Sequence, residues 1–208
     1  KNPVLYEKVN GLGTVTLLEA MREAGIRNLV FGSSSSVYGL NKKVPFSEDD
    51  PVNLPYSPYA STKRAFEDIL QFYVNAKGVR AVTLKLFDTY GPFDYRSKIF
   101  SILKKAIKEN QFLDFSPGEQ SIDLLYIDDV ITAFRKAMEF LNANPQTKSE
   151  IFFVGSGVST GIKEIVATLE EVVGKKLLIR WGVKPYRDRE MMKSQADIRK
   201  AKEILGWQ

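Results

Sequence analysis

Twice in the first ninety residues a helical stripe closes on a glycine and gives way to a short apolar run. Val9, Leu12, Leu17, Leu18 and Met21 recur at helical spacing and stop at Gly25, ahead of NLVFG at Asn28–Gly32. A second helix opens after Pro58, runs from Tyr59 to about Val74 and meets Gly78, ahead of VRAVTLKLF. Glycine is the usual residue just past a helix, and proline suits a first helical turn. Short apolar runs bounded by such breakers fit strands buried on both faces. Helix followed by strand, repeated, predicts an α/β fold with a parallel sheet. With 208 residues, 44% of them hydrophobic, the chain can bury a sizeable core.

The remaining pattern is consistent with that class. Residues 40–58 are rich in Pro, Asp and Asn and predict a loop. Ile99, Ile102, Leu103, Ala106 and Ile107 predict an amphipathic helix over 97–109. A further helix should reach about Leu141, capped by Asp128 or Asp129. Ile151–Val154 reads as a strand, and Ile162, Ile165, Val166 and Leu169 as a helix closing at Gly174. KKLLIRW reads as a strand, and ADIRKAKEILGW as a closing helix. Gly155, Ser156 and Gly157 lack the lysine and the spacing of a phosphate loop and predict a plain turn.

Composition limits the chemistry. The chain has no cysteine and no histidine, which removes disulfides, thiolate catalysis, the usual general base and the commonest metal ligands. No metal site is expected, and acid/base work falls to Tyr, Lys, Asp or Glu. Thirty basic residues against 25 acidic give a net charge of +5. The two signs are interspersed, which argues against a nucleic-acid partner and suits a mild attraction for an anionic small molecule. No apolar run reaches membrane length and no signal peptide opens the sequence, so a cytoplasmic protein without a membrane partner is expected.

Chemistry concentrates between Gly32 and Lys63. Tyr59 and Lys63 stand four apart, on one helical face about one turn from each other. A phenol with an ordinary pKa near 10 is a poor base at neutral pH, and a neighbouring ammonium favours its phenolate. Ser34 lies twenty-five residues upstream, where a serine run closes a strand. The three residues form a device for moving a proton on and off a sugar or alcohol oxygen while a hydride moves elsewhere. A second Tyr-x-x-x-Lys pair, Tyr73 and Lys77, falls on an apolar stripe just before Gly78 and reads as structural.

SSSSVYG, PFSEDDPV, SPYASTK and LFDTYGP resemble the extended short-chain dehydrogenase/reductases, in their nucleotide-sugar epimerase/dehydratase branch. That resemblance covers essentially the whole chain. It implies the C-terminal part of a Rossmann-like doubly wound parallel sheet (1–91 and 124–156) with a smaller mixed α/β substrate-binding lobe (92–123 and 157–208). It implies catalysis by Ser34, Tyr59 and Lys63, with NAD (or NADP) held by Tyr59, Lys63, Asn10, Ser33 and Phe87. A nucleotide-diphosphate sugar would be held by Ser34, Ser35, Ser36, Asp88, Arg187 and Arg189. The helices near 5–24 and 59–75 match those of a family homodimer.

The first half is especially similar to UDP-glucuronate and UDP-glucose 4-epimerases. The stretch SPGEQSIDLLYIDDV is more similar to 4-ketosugar-nucleotide reductases, which makes one-way ketoreduction the alternative activity. A catalytically inactive sugar-nucleotide-binding scaffold is the alternative of another class. Dehydratases place Asp and Glu after the catalytic hydroxyl, where this chain has Ser35 and Ser36. Two departures stand out. Ile122 replaces an arginine that commonly binds the diphosphate, a task Arg187 and Arg189 can take over, and Asp88 puts an acid where the family often has Asn. No glycine-rich turn follows a first strand, because Gly11 and Gly13 lie in a helical pattern. About 80 residues of βαβ structure are therefore expected ahead of this chain, and the chain alone is expected to be inactive.

Overall fold

A computed structural model describes residues 2–41, 43–53 and 55–208. The chain opens with α1 (Pro3–Tyr6), continues as a π-helical stretch over Glu7–Leu12 and ends its first rod as α2 (Gly13–Glu23). Strand β1 (Asn28–Ser34), a 3-10 turn (Ser35–Tyr38), helix α3 (Pro58–Lys77) and strand β2 (Arg80–Leu86) follow. Then come β3 (Asp88–Tyr90), α4 (Ile99–Glu109), β4 (Leu113–Asp114), β5 (Ser121–Tyr126) and α5 (Ile127–Ala143). Strands β6 (Ser149–Val154) and β7 (Ser159–Gly161), helix α6 (Ile162–Val173), strand β8 (Ile179–Arg180) and a last π-turn (Ala201–Leu205) complete the order.

β1, β2 and β6 form a parallel sheet in that order, with helices on both faces, as the alternating pattern predicts. On one face α2 and α3 bury Leu18, Met21, Phe66, Leu70 and Val74 against Phe31 and Ala81. On the other, α5 and the C-terminal turn bury Val130, Ala133, Ala137, Leu141 and Trp207 against Val82, Leu84, Phe152 and Val154. A smaller mixed set of strands stands beside this core. β3 pairs parallel with β5, β7 antiparallel with β5, and β4 parallel with β8. Leu103 of α4 and Ile165 and Val166 of α6 centre its core.

Glycine stops and the proline start fall where they were read. Gly78 and Gly174 cap their helices in the left-handed region, and Ser57 caps α3 by accepting from the Ala60 N–H, with Pro58 in the first turn. Three expectations need correction. The N-terminal stripe is two stripes: Leu18 and Met21 are buried, but Val9 and Leu12 are 62% and 67% exposed and Leu17 points outward. The rod packs on α3 and, through Leu18 and Met21, on the sheet, and its outer face has no cover among the described residues. Asp128 and Asp129 do not cap α5. Tyr126 holds the cap position, and both acids lie exposed in the first turn, where they complement the helix dipole. KKLLIRW shrinks to β8, because the Lys175 N–H bonds the Glu170 carbonyl and the Leu177 N–H bonds the Glu170 carboxylate.

The turn at Gly155–Gly157 is filled by the chain's own anion. Asp123, fully buried on β5, accepts from the Ser156 N–H and hydroxyl (2.6 and 2.7 Å), the Gly157 N–H (3.0 Å) and the Ala196 N–H (2.9 Å). A Cβ on Gly155 would stand 2.8 Å from both the Asp123 carboxylate and Ala196, so only glycine fits. Asp123→Ala strands several buried donors and should cost about 3 kcal/mol or more. Urea unfolding followed by circular dichroism checks this. A loss below about 1 kcal/mol would mean that the carboxylate is dispensable.

Candidate active site

The site forms where β1 ends. Ser34 leaves the strand extended and caps the following 3-10 turn, its Oγ accepting from the Ser36 N–H (3.2 Å) and the Ser36 hydroxyl (2.9 Å). With both acceptor positions used, its own proton is free to point elsewhere, and the hydroxyl is placed so that it favours the Tyr59 phenolate. Tyr59 sits in the first turn of α3, and Tyr6 of α1 packs edge-on against its ring at 6.1 Å. One turn along, the Lys63 Nζ donates to the Gly32 carbonyl (2.9 Å) and lies 4.8 Å from the Phe31 ring centre and 5.9 Å from that of Tyr59.

Burial dominates the electrostatics. It pushes the Tyr59 phenol up from its ordinary value, opposed by the Ser34 hydroxyl and by the charge of Arg96. It pushes the Lys63 ammonium down, opposed by the Glu67 carboxylate. The expected lowering of Tyr59 by Lys63 is therefore corrected. The ammonium is turned to the Gly32 carbonyl, and desolvation of the phenolate outweighs what reaches it.

The anticipated substrate residues converge except for Ser34, which does not line the cavity. Ser35, Ser36, Asp88, Arg187 and Arg189 line one cavity of about 390 Å³, together with Tyr56, Ile122 and Glu190. Ile122 thus shares a wall with the two arginines. Arg189 holds a left-handed backbone (φ 59°), rare for a non-glycine residue, and Arg187 approaches the Glu190 carboxylate at 3.9 Å. The acid at position 88 is not bare, since the Lys98 Nζ pairs with it at 2.8 Å. Asn10 lies outside the cavity lining and donates to the Thr62 hydroxyl (3.0 Å), joining the N-terminal rod to α3 beside Lys63. Ser33 turns its buried hydroxyl to the Glu67 carboxylate, and Phe87 is buried among Phe46 and Phe153. Neither lines the cavity.

Several groups escaped the sequence reading. Arg96, held by Asp94 through two 2.7 Å contacts, acts on both Tyr59 and Asp88. Tyr56 is pushed up by burial and then by the charge of Asp88. Arg96 and Lys98 sit in an irregular loop with no periodicity to betray them. The Tyr73–Lys77 pair is structural as read, with the Tyr73 hydroxyl bonded to Glu19. No cluster of potential metal ligands occurs among the described residues, and none of the described helices is long and apolar enough to cross a membrane.

Comparison with known proteins places relatives beside this geometry. Residues 1–155 match the NAD dependent epimerase/dehydratase family. The whole chain aligns at 32% identity with a UDP-glucuronate 4-epimerase from Thermodesulfobacterium geofontis, spanning 62% of that protein. It aligns at 34% identity with a UDP-glucose 4-epimerase from Mycolicibacterium smegmatis, spanning 65%. The UDP-glucose 4-epimerase structure from Stenotrophomonas maltophila, with bound NAD and formylated UDP-arabinopyranose, superposes with a TM-score of 0.90 at 26% identity. That match covers 99% of this chain and 66% of the other. The chain thus spans slightly less than two thirds of the length of these relatives.

The Ser34 hydroxyl has a measurable consequence. Ser34→Ala should raise the Tyr59 pKa further, and Arg96→Ala should act in the same direction. A pH titration of 13C-tyrosine-labelled protein, with Tyr59→Phe to assign the resonance, reads both shifts. An unchanged titration in Ser34→Ala would remove the hydroxyl from the site's electrostatics.

Proposed function

Given that the chain belongs to the NAD dependent epimerase/dehydratase family, we propose that this protein interconverts nucleotide-diphosphate sugars at C4. The observation that carries this is the convergence of Ser34 at the end of β1 with Tyr59 and Lys63 in the first turns of α3, beside a cavity lined by serines and arginines. Ligands of open parallel sheets bind beyond the carboxyl ends of the strands. The residues fit the reacting half of a nicotinamide nucleotide. Lys63 offers an ammonium able to hold a ribose hydroxyl, and Asn10 is fixed close by on the neighbouring helix. NAD, when bound, supplies reversible hydride acceptance at the sugar carbon.

The remaining chemistry belongs to the chain. Tyr59, as phenolate, takes the proton from the C4 hydroxyl as the C4 hydride leaves, giving a 4-keto sugar. Ser34 shares that proton and holds the oxygen in line. When the hydride returns to the opposite face, Tyr59 gives the proton back, so no net oxidation remains. Burial alone keeps the phenol protonated. Ser34 and Arg96 favour the phenolate, and Lys63 is the remaining cation near the ring. Arg187 and Arg189 are proposed to hold the diphosphate in place of an arginine at Ile122, since a guanidinium pairs with phosphate through two parallel hydrogen bonds. The division into a cofactor part (1–91, 124–156) and a substrate lobe (92–123, 157–208) is part of the same proposal.

The full-length protein should interconvert UDP-glucose or UDP-glucuronate with the C4 epimer without net use of NADH or NADPH. Stoichiometric consumption of reduced cofactor with a 4-keto sugar would point to ketoreduction instead. Tyr59→Phe should lower kcat by about 10²- to 10⁴-fold with little change in KM, the usual scale for a lost acid/base group. Turnover that survives this change would sink the mechanism.

We also propose a homodimer built on the outer face of the N-terminal rod and on α3. Val4, Leu5, Val9, Leu12 and Phe72 are exposed there, more apolar surface than a lone helix pair normally leaves to water. Leu12→Asp should convert the dimer to a monomer, read by light scattering on a sizing column. A dimer that persists in both Leu12→Asp and Phe72→Asp would move the interface elsewhere.

A further inference from the structure

Beneath the site lies a buried charge pair that the chemistry just described does not use. Lys85 of β2 is 2% exposed, and its Nζ donates to the Glu67 Oε2 at 2.7 Å. The other oxygen of Glu67, Oε1, accepts from the Ser33 hydroxyl. Ser33 and Lys85 are register partners in the parallel pairing of β1 with β2, so one carboxylate from α3 ties two adjacent strands at the same level. One helical turn earlier, Lys63 binds the carbonyl of Gly32. Helix α3 is thus stapled to β1 at two consecutive residues, Gly32 and Ser33, and the next residue is Ser34.

We propose that Glu67, with Lys85 as its counter-ion, is a positioning residue for the site: by tying α3 to β1 and β2 at one level it fixes where Ser34 stands relative to Tyr59 and Lys63. This rests on the epimerase reading above. As a stabilising element the pair has little to recommend it. Desolvating two charges largely cancels their attraction, and an apolar pair of similar volume commonly does as well or better. Its geometry is better matched to alignment. The carboxylate accepts from two strands and stands one turn from Lys63, whose ammonium has few other supports. The groups facing that ammonium are the Gly32 carbonyl and Phe31 ring from β1 and the Tyr59 ring and Glu67 carboxylate from α3. Lys85, covered by the Tyr38 ring at 4.8 Å and flanked by Arg64 and Asp68, reaches Lys63 only through Glu67. Of these, only Glu67 opposes the downward push of burial on Lys63.

The test compares full-length wild type with Glu67→Gln/Lys85→Met, which removes the pair without stranding a buried charge. The glutamine oxygen can still accept from Ser33. The 13Cε resonance of Lys63, in lysine-labelled protein without substrate, should titrate at lower pH in the variant by about half a unit or more. In turnover, the alkaline limb of kcat should move the same way. At the optimum, kcat should fall about tenfold with KM within about twofold, a split that a merely loosened fold would not give. A folded variant with an unmoved Lys63 titration and wild-type kcat overturns the proposal. Should the double variant fail to fold, Ser33→Ala decides the alignment role, because it removes one hydroxyl and leaves the charges. A kcat reduced several-fold, with the Lys63 titration unmoved, supports alignment, and a wild-type kcat overturns it. If wild type turns over no sugar nucleotide, the epimerase reading fails by itself. The Lys63 titration then still decides whether Glu67 governs that ammonium.

Discussion

The burial of one carboxylate fixes how the pieces of this chain meet. Among the described residues, no cation pairs with Asp123. Its charge is dispersed over backbone N–H groups of the 156–157 turn and of Ala196, with the Ser156 hydroxyl added. Such a nest of N–H donors ordinarily binds an external anion. Here the anion comes from β5, so the strand, the turn after β6 and the segment leading to the C-terminal turn are held at one point. β5 also pairs with β3, the direct continuation of β2 beyond Phe87. The parallel sheet and the smaller set of strands are joined through this strand, and the cavity opens along the join, with Ile122 next to Asp123 in its wall.

The charges around the candidate site obey the same rule, that a buried ionised group must be met by donors or counter-charge. Asp123 is met by backbone and Lys85 by Glu67. Tyr59 and Lys63 are the least fully met. Burial disfavours the charged form of each, opposed at Tyr59 by the Ser34 hydroxyl and Arg96 and at Lys63 by the Glu67 carboxylate. Incomplete compensation suits the proposed proton transfer, because a group locked into one ionisation state cannot exchange a proton. The well-compensated groups lie around and beneath these two and hold them still.

What could be read from sequence followed the range of the interactions. Gly78 and Gly174 end helices through their own backbone freedom, and Ser57 and Pro58 start one through local bonds, so those boundaries were legible. That Tyr59 and Lys63 share a helical face and that Ser34 ends a strand was legible, because both follow from local spacing. Glu67 and Lys85 were not, since a glutamate on a helix and a lysine in an apolar strand carry no mark of each other. Only the pairing of Ser33 with Lys85 brings them under one carboxylate. The end of KKLLIRW failed for the same reason, a side chain of α6 claiming a backbone N–H that the strand pattern had assigned to a neighbour. Val9 and Leu12 failed differently: apolar spacing says that a face seeks cover, not that this chain supplies it.

The cavity's charges come from two kinds of support, and the difference bears on how a diphosphate would be held. An arginine on β5 at position 122 would project from a strand fixed by Asp123. Ile122 instead joins the small lobe's apolar core, and the cationic groups of the cavity come from the 187–190 loop. A guanidinium on a loop loses more side-chain and backbone freedom on binding than one on a strand. Two features reduce that loss. The Glu190 carboxylate accepts from the Arg187 N–H at 3.2 Å, and Arg189 is already committed to a left-handed backbone. With the loop held in this way, part of the ordering that the proposed phosphate contact needs is already in place. The arginines can then act at Ile122's wall without a strand beneath them.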